Sequence, residues 1–494
     1  MSIPAHGCSP AEALAALAAL RVDDPPVHGG RVLAYVYDAG VDGLAQVGRD
    51  ALAAFGEVNG LDPTVFSSVA RIENDLVGWG LDLLGGGVGG SGLVTSGGTE
   101  SCMLAVLAAR ESWRRAHGEA RTTASIVLPV TAHPAFAKAA HVLGLRLCFV
   151  PVDPVDMRVR VESVAAALDE EGPDAALVVV SAPSYPHGVV DPIRAVAELA
   201  AERGVPCHVD ACIGGFVLPY LRRAGRPVPQ FDLSVPGVRS ISADLHKYGY
   251  APKGASLLLF GDVEYREGTF FSYSRWPGYP VVNTTLQSTR SAGPMAAAWA
   301  VIRVLGDDGM AQAVVRCIEA TDRIVAGVAD IPGLRVLGPP DSTLIAIAAE
   351  AGSGSAGVDP FVLADRMRAR GWIIQPQPAF GGLPRTAHLT VQPASLATVA
   401  EFVADLARAA GQAADQPWAS ADRGLVELAG QLDASALTTA DVAGLLAVAG
   451  LGEDAGPKLP AEAAGVHALI EALPEDLRER LLSGFFSLLF TPQR

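Results

Sequence analysis

The sequence predicts an α/β protein built on a mostly parallel sheet, with a smaller α+β domain and a helical tail behind it. Three observations carry this reading. Between residues 125 and 260, short apolar runs rich in β-branched residues alternate with helical stretches, a pattern that packs helices against parallel strands. The runs are continuously apolar rather than alternating, as strands covered on both faces are. And 494 residues, half of them hydrophobic and 18% charged, exceed one ordinary core and suit burial rather than disorder.

Taken in order, residues 10–20 (PAEALAALAAL) read as a short helix, and Gly30–Asp38 (GRVLAYVYD) as a strand or loop. From Glu73 the pattern is helix, glycine-rich loop, helix. Strands buried on both faces are expected at Ser125–Leu128, Arg146–Val150, Ala175–Val180, Cys207–Val209, Val238–Ile241 and Ser256–Phe260, with helices such as Pro192–Arg203 between them. A new helix is expected from about 300, then strand-like pieces Leu334–Val336 and Ser342–Ala348, then helices at 360–370 and 396–409. Polar and small residues at Gln412–Gly424 suggest a linker. Beyond it, Pro474 at a helix start and Leu477, Leu481, Leu482, Phe485 and Leu489 at helical spacing predict an amphipathic helix that packs on this domain or a second subunit. The expected parts are an N-terminal segment (1–60), a large domain (61–300), a small domain (301–411) and a helical extension (425–494).

The formal charge of −16 argues against nucleic acid and anionic membrane as general partners. Six scattered cysteines, with no C-x-x-C pair, suit a reducing compartment and match no structural zinc set. Cys207 and Cys212 are expected to be buried small hydrophobes, and no metal is expected. Neither a signal peptide nor a run long enough to span a membrane is visible, so a cytoplasmic protein is expected.

One count is more pointed. Lysine occurs four times, at 138, 247, 253 and 458, so 33 of the 37 Lys and Arg residues are arginine. A lysine kept against that bias is a candidate for work that a guanidinium cannot do, such as forming an imine.

Four stretches then supply the parts of a cofactor site. Thr95–Ser101 (TSGGTES) opens an apolar helical run, and glycines with hydroxyl residues at a helix start offer N–H donors to a phosphate through Gly97, Gly98 and Thr99. Taken alone it could be an ordinary capped turn. Asp210, in His208-Val209-Asp210-Ala211, closes an apolar strand at the edge where parallel sheets bind ligands. Opposite a pyridine nitrogen it would keep the ring protonated; alone it could cap the next loop. Ser242–Lys247 (SADLHK) closes another strand: Lys247 can condense with a cofactor aldehyde, and His246 can donate to a phosphate or shuttle protons. His133, in HPAFAK, could stack on a ring face, with Lys138 solvated in the helix behind it. Together they are what a type I pyridoxal-5′-phosphate (PLP) site requires.

These residues resemble the group II PLP-dependent decarboxylase superfamily, and within it the sphingosine-1-phosphate lyases most closely. The matching stretches are TSGGTES (95–101), HPAFAKAA (133–140), PSYPHGVVDP (183–192), HVDACIGGF (208–216) and SISADLHKYGYAPKGASLLLF (240–260), in register over roughly residues 30–410. The resemblance implies fold type I, the PLP-dependent transferase-like architecture with a mostly parallel seven-stranded sheet, as a homodimer with interface active sites. It implies Lys247 as the Schiff-base lysine, Asp210 at the ring nitrogen, His133 stacked on the ring, and Gly98, Thr99 and His246 around the cofactor phosphate. On the substrate side it implies Lys253 and Tyr37 near a substrate phosphate and Tyr185 as an aromatic contact.

The departures concern the substrate. Where the lyases read N-P-L-H this chain has Asn59-Gly60-Leu61-Asp62, and the carboxylate of Asp62 would repel a phosphate dianion. Val281 stands where a catalytic tyrosine is expected, with Tyr279 nearby, and Thr289–Gly293 replaces S-R-P-G-G. Two reactions on a small-molecule amine follow as expectations. One is retro-aldol C–C cleavage of an amino alcohol, phosphorylated or otherwise anionic, with Tyr185, Tyr279 or His187 as base. The other is α-decarboxylation of an amino acid, with Arg385 (LPRTAHLTV) holding the substrate carboxylate. A catalytically inactive homologue is a third expectation, weighed down by the survival of Lys247, Asp210 and His133.

Overall fold

The computed structural model describes residues 2–118, 122–350, 352, 357–448 and 460–492. Lys458 and part of the expected extension lie outside these residues. The main sheet has seven strands: β1 (Ser91–Thr95), β2 (Ser125–Pro129), β3 (Arg146–Val150), β4 (Ala175–Ser181), β5 (Cys207–Asp210), β6 (Val238–Ala243) and β7 (Ser256–Phe260), in the order β1-β7-β6-β5-β4-β2-β3. Only β7 runs antiparallel to its neighbours. Every residue of β1, β2, β4, β5 and β7 is buried, which is why their sequences carry no polar–apolar alternation.

One expectation changes here and one is resolved. Arg146–Val150 is a strand, but as the sheet edge it is open on one side, and Phe149 is exposed. Gly30–Asp38 forms no strand; it makes a single bridge, Val32 to Ile373, and runs along the small domain. Strand β1 was not anticipated, because SGLVT is short and follows a glycine run that hides any period.

A two-stranded hairpin, β8 (Phe271–Tyr273) and β9 (Val281–Asn283), precedes the helix Gly293–Ala329. That helix starts before residue 300 and breaks at Gly306, whose φ of 62° and ψ of 179° belong to a region essentially reserved for glycine. It leads into an antiparallel sheet, β10 (Leu334–Val336), β11 (Leu344–Ala349), β12 (Gln375–Gln377) and β13 (Thr386–Thr390), in the order β10-β11-β13-β12. Helices Pro360–Arg368 and Val399–Ala414 cover it.

The extension contributes helices Arg423–Ala429, Thr439–Val448, Ala464–Ala472 and Glu475–Leu489. Val442, Leu446 and Val466 form its small core, with Ile470, Leu481, Phe485 and Leu488 against it. Of the apolar stripe expected on the last helix, Leu477 is buried, whereas Leu482 and Leu489 face outward.

Candidate active site

The carboxyl ends of the parallel strands and of β1 converge on one cavity of about 360 Å³, within the range of small-ligand sites. Each end delivers something. After β1 come Ser96, Gly97, Gly98, Thr99 and, one helical turn on, Cys102; after β2, His133; after β4, Pro183 and Tyr185; from β5, Asp210 and Cys212; after β6, Asp244, His246 and Lys247.

The helix Gly98–His117 begins beside this cavity with no side chain capping its N-terminus, so its first N–H groups and positive dipole end are left for an anion. Gly98 must be glycine: a Cβ there would stand 2.8 Å from Asp244 Oδ2 and 2.9 Å from Cys212 Sγ. His246 Nδ1 is buried without a partner, a donor or acceptor awaiting one.

Lys247 Nζ lies 2.8 Å from Asp244 Oδ2. Burial alone would push the lysine toward neutrality, but the carboxylate of Asp244, with Cys212 and Tyr37, outweighs it and holds the ammonium well above the ordinary lysine value. Conversely, burial would raise Asp244, and the charges of Lys247 and His246 prevail and lower it. Asp244 was quoted in the sequence only as part of the lysine motif; an acid three residues before a buried lysine was the available signal. Asp210 Oδ1 accepts from the Cys212 N–H at 3.1 Å and from Ser242 Oγ at 3.4 Å. His133 Nδ1 accepts from the Ala135 N–H at 3.2 Å, so the neutral ring carries its proton on Nε2, and burial keeps it neutral by lowering its pKa.

Next to the cavity-lining His246, Lys253 Nζ sits 4.7 Å from the centre of the Tyr37 ring and donates to the His246 carbonyl at 3.3 Å. Its surroundings lower its pKa to about 8, chiefly by dehydration and then by repulsion from Lys247. Tyr37 packs edge-on against Tyr248, with ring centres 5.1 Å apart. The Tyr185 hydroxyl donates to Gln375 Oε1 at 2.6 Å, and its ring lies 4.3 Å from that of His388.

Four residues weighed for substrate chemistry are placed elsewhere. Arg385 does not reach the cavity: it pairs with Glu471 and with Asp359 (3.1 Å), and stacks over Phe361. Asp62 lies on the surface, its carboxylate turned back onto Thr64 and Val65. With Tyr279 and Val281 it lines a separate cavity of about 770 Å³. His187 is buried outside the cofactor cavity, and dehydration lowers its pKa to about 4.

A mostly parallel sheet with a lysine and two carboxylates at its carboxyl edge, facing an uncapped helix start, defines a pyridoxal-phosphate enzyme fold. The chain belongs to the pyridoxal-dependent decarboxylase family, whose conserved-domain model matches residues 50–345. A second model, for a C-terminal helix-turn-helix (HTH) region of pyridoxal-dependent enzymes, matches residues 423–488. Among curated relatives, the chain is 36% identical to sphingosine-1-phosphate lyase of Arabidopsis thaliana over 76% of its own length and 67% of the relative's. It is 34% identical to that of Dictyostelium discoideum over 72% and 64%. It therefore spans about two thirds of the length of these relatives. The solved structure of Burkholderia pseudomallei sphingosine-1-phosphate lyase superposes with a TM-score of 0.78 at 33% identity, covering 84% of this chain and 93% of that one. Lactobacillus brevis glutamate decarboxylase shares the fold, with a TM-score of 0.73 at 20% identity.

The cofactor of this family is pyridoxal phosphate, and the residues present fit it. The open helix start and the unpartnered His246 Nδ1 suit its phosphate, Lys247 suits its aldehyde, and the space kept by Gly98 is one that a side chain would fill.

Proposed function

We propose that the protein is a pyridoxal-phosphate-dependent carbon–carbon lyase that cleaves an amino alcohol with an anionic head group by retro-aldol chemistry. The observation that carries this is Lys253: its Nζ rests on the backbone carbonyl of the cavity-lining His246, and among the described residues no ion pair to it is found. The cation that decarboxylation would have used, Arg385, is already committed to Glu471 and Asp359. Asp62, which would repel a phosphate, makes its contacts away from Lys253.

Pyridoxal phosphate, when bound, supplies the aldehyde that takes up the substrate amine and a cationic ring that accepts the bonding electrons. The chain's own residues do the rest. Gly97, Gly98, Thr99 and His246 would hold the cofactor phosphate, Asp210 would keep the ring nitrogen protonated, and the neutral imidazole of His133 would lie against the ring. Asp244 anchors Lys247 Nζ at 2.8 Å and sets how readily it gives up its proton to become the free amine that the aldehyde requires. Tyr185 Oη, its own proton donated to Gln375 Oε1, accepts a hydrogen bond from the substrate hydroxyl and orients it, and the free amine of Lys247 takes that hydroxyl proton as the Cα–Cβ bond breaks and the aldehyde leaves. Lys247 Nζ, released from the cofactor, returns a proton to the former Cα. Lys253, with Tyr37 packed beneath it, holds the anionic head.

The protein works as a homodimer in this reading. Phe271, Tyr273, Trp276 and Tyr279 lie on or beside the β8–β9 hairpin and are exposed in one chain, as aromatic residues at an interface are before association. Incubation with phosphorylated and unphosphorylated amino alcohols and with amino acids tests the reaction. An aldehyde without CO2 is the expected result, and CO2 from an amino acid would overturn it. Light scattering tests the dimer.

A further inference from the structure

The cofactor cavity contains a cluster of which the proposed reaction uses only Asp210. Cys102 on the helix Gly98–His117, Asp210 at the end of β5 and Cys212 just beyond it each offer one ligand atom, and the three atoms lie within 4.8 Å of one another. All three residues are buried, and all three line the cavity. It is the one such group found among the described residues.

We propose that Cys102, Cys212 and Asp210 form a binding site for a thiophilic divalent cation of the Zn²⁺ or Cd²⁺ type, and that this cation and the cofactor exclude one another. Two sulfurs and a carboxylate oxygen are a donor set that such cations prefer over Mg²⁺ or Ca²⁺. A tetrahedral ion with bonds of about 2.0–2.3 Å needs its ligand atoms roughly 3.5–3.8 Å apart, so the trio has only to draw in slightly. The supports are already in place: the Cys212 N–H holds Asp210 Oδ1 at 3.1 Å, and Cys212 Sγ lies 3.3 Å from Ser242 Oγ. Binding releases the two thiol protons, so one M²⁺ with two thiolates and one carboxylate carries a single negative charge. The ammonium of Lys247, within electrostatic reach of Cys212, balances it. The fourth position opens to the cavity, where water completes the coordination.

Mutual exclusion rests on the assignment of Asp210 to the cofactor's ring nitrogen, since a carboxylate bound to the cation cannot also serve the ring. The cation site itself does not depend on that assignment. The experiment titrates the full-length protein with Cd²⁺, with and without pyridoxal phosphate, and follows thiolate-to-cadmium charge-transfer absorption. One Cd²⁺ per chain is expected without cofactor and none on the loaded protein. Cys102→Ser and Cys212→Ser should each weaken binding by more than about 100-fold, beyond the 10–100-fold cost of losing an outer-shell partner. Cys148→Ser, a change away from this cluster, should leave it unaltered. Cofactor uptake by the serine variants, read from their visible spectra, shows that the pocket has formed. Absence of a one-to-one complex, or a complex indifferent to both serine substitutions, would overturn the site. Equal binding to loaded and unloaded protein would overturn the exclusion alone.

Discussion

Replacing Lys253 with methionine keeps the length of its stem and deletes its charge, and so isolates the head-group contact. A charge-assisted hydrogen bond contributes about 1.5–3 kcal/mol, and each 1.4 kcal/mol is tenfold in affinity. Lys253→Met should therefore raise KM for a phosphorylated amino alcohol by roughly 10–150-fold, leave kcat within about threefold, and barely affect an unphosphorylated analogue. The pH profile gives an independent check. With its pKa lowered to about 8, Lys253 is charged below that pH and neutral above it. A substrate phosphate is a full dianion only above its second pKa of about 6. In the free enzyme kcat/KM for the phosphorylated substrate should thus be greatest between about pH 6 and 8. The fall above pH 8 should vanish in Lys253→Met. Steady-state assays of aldehyde release on both substrates measure all of this. An unchanged KM for the phosphorylated substrate would refute the reasoning, since no other cation is assigned to that position.

Gly98→Ala should cost most of the cofactor affinity, because its methyl would stand 2.8 Å from the Asp244 carboxylate; absorbance titration with pyridoxal phosphate measures this. Asp244→Asn removes the charge that holds the Lys247 ammonium, so the pKa of Lys247 falls and its borohydride-trappable adduct with the cofactor should form at lower pH than in the parent; an unshifted profile would remove Asp244 from the proton path. Glu471→Ala leaves the Arg385 guanidinium with one carboxylate and the Ala379 N–H without its acceptor, and should cost about 3 kcal/mol in a thermal or denaturant melt. His187 and His208, lowered to about 4, and His388, lowered to about 3, are all buried and neutral. Between pH 6.5 and 4 the unfolded chain binds protons that the folded chain refuses, so stability falls as pH falls, by up to about 3 kcal/mol per histidine. A denaturant midpoint that does not change between pH 7 and pH 5 would contradict this.

What the sequence made legible follows from range of interaction. The buried strands announced themselves because a strand covered on both faces has no polar partner residues, and all six start where expected, five of them also ending within a residue. Lys247 stood out because an arginine-rich chain had kept it. Asp210 stood out because a carboxylate ending an apolar run has few other uses. Contacts between distant segments were not readable. Arg385 looks like a free cation in LPRTAHLTV, and only folding brings Glu471 against it. Asp62 and Val281 were weighed as separate departures, yet they line one cavity. The cysteines matched no ligand spacing, because what brings Cys102 to Cys212 is a helix packed over a strand end rather than a local turn.

The extension gives the same lesson in its own chemistry. Residues 423–488 match a helix-turn-helix model, and such a fold on its own suggests nucleic acid. Its charges argue otherwise: four basic residues (Arg423, Lys458, Arg478, Arg480) stand against ten acidic ones, a balance that repels phosphates. Two of those acids reach the small domain instead. Glu471 binds both Arg385 and the Ala379 N–H, the two feet of the loop between β12 and β13, and Glu462 meets Arg366 at 2.9 Å. Asp365 of the small domain in turn accepts from the N–H groups of Ala463 and Ala464, which start the helix Ala464–Ala472. A buried carboxylate at a helix N-terminus and a half-buried guanidinium pair tie the extension to the domain whose Gln375 holds Tyr185. The extension is therefore held to the small domain by a few specific polar contacts, through Glu471, Glu462 and Asp365, while most of its charged residues bond within the extension or face solvent.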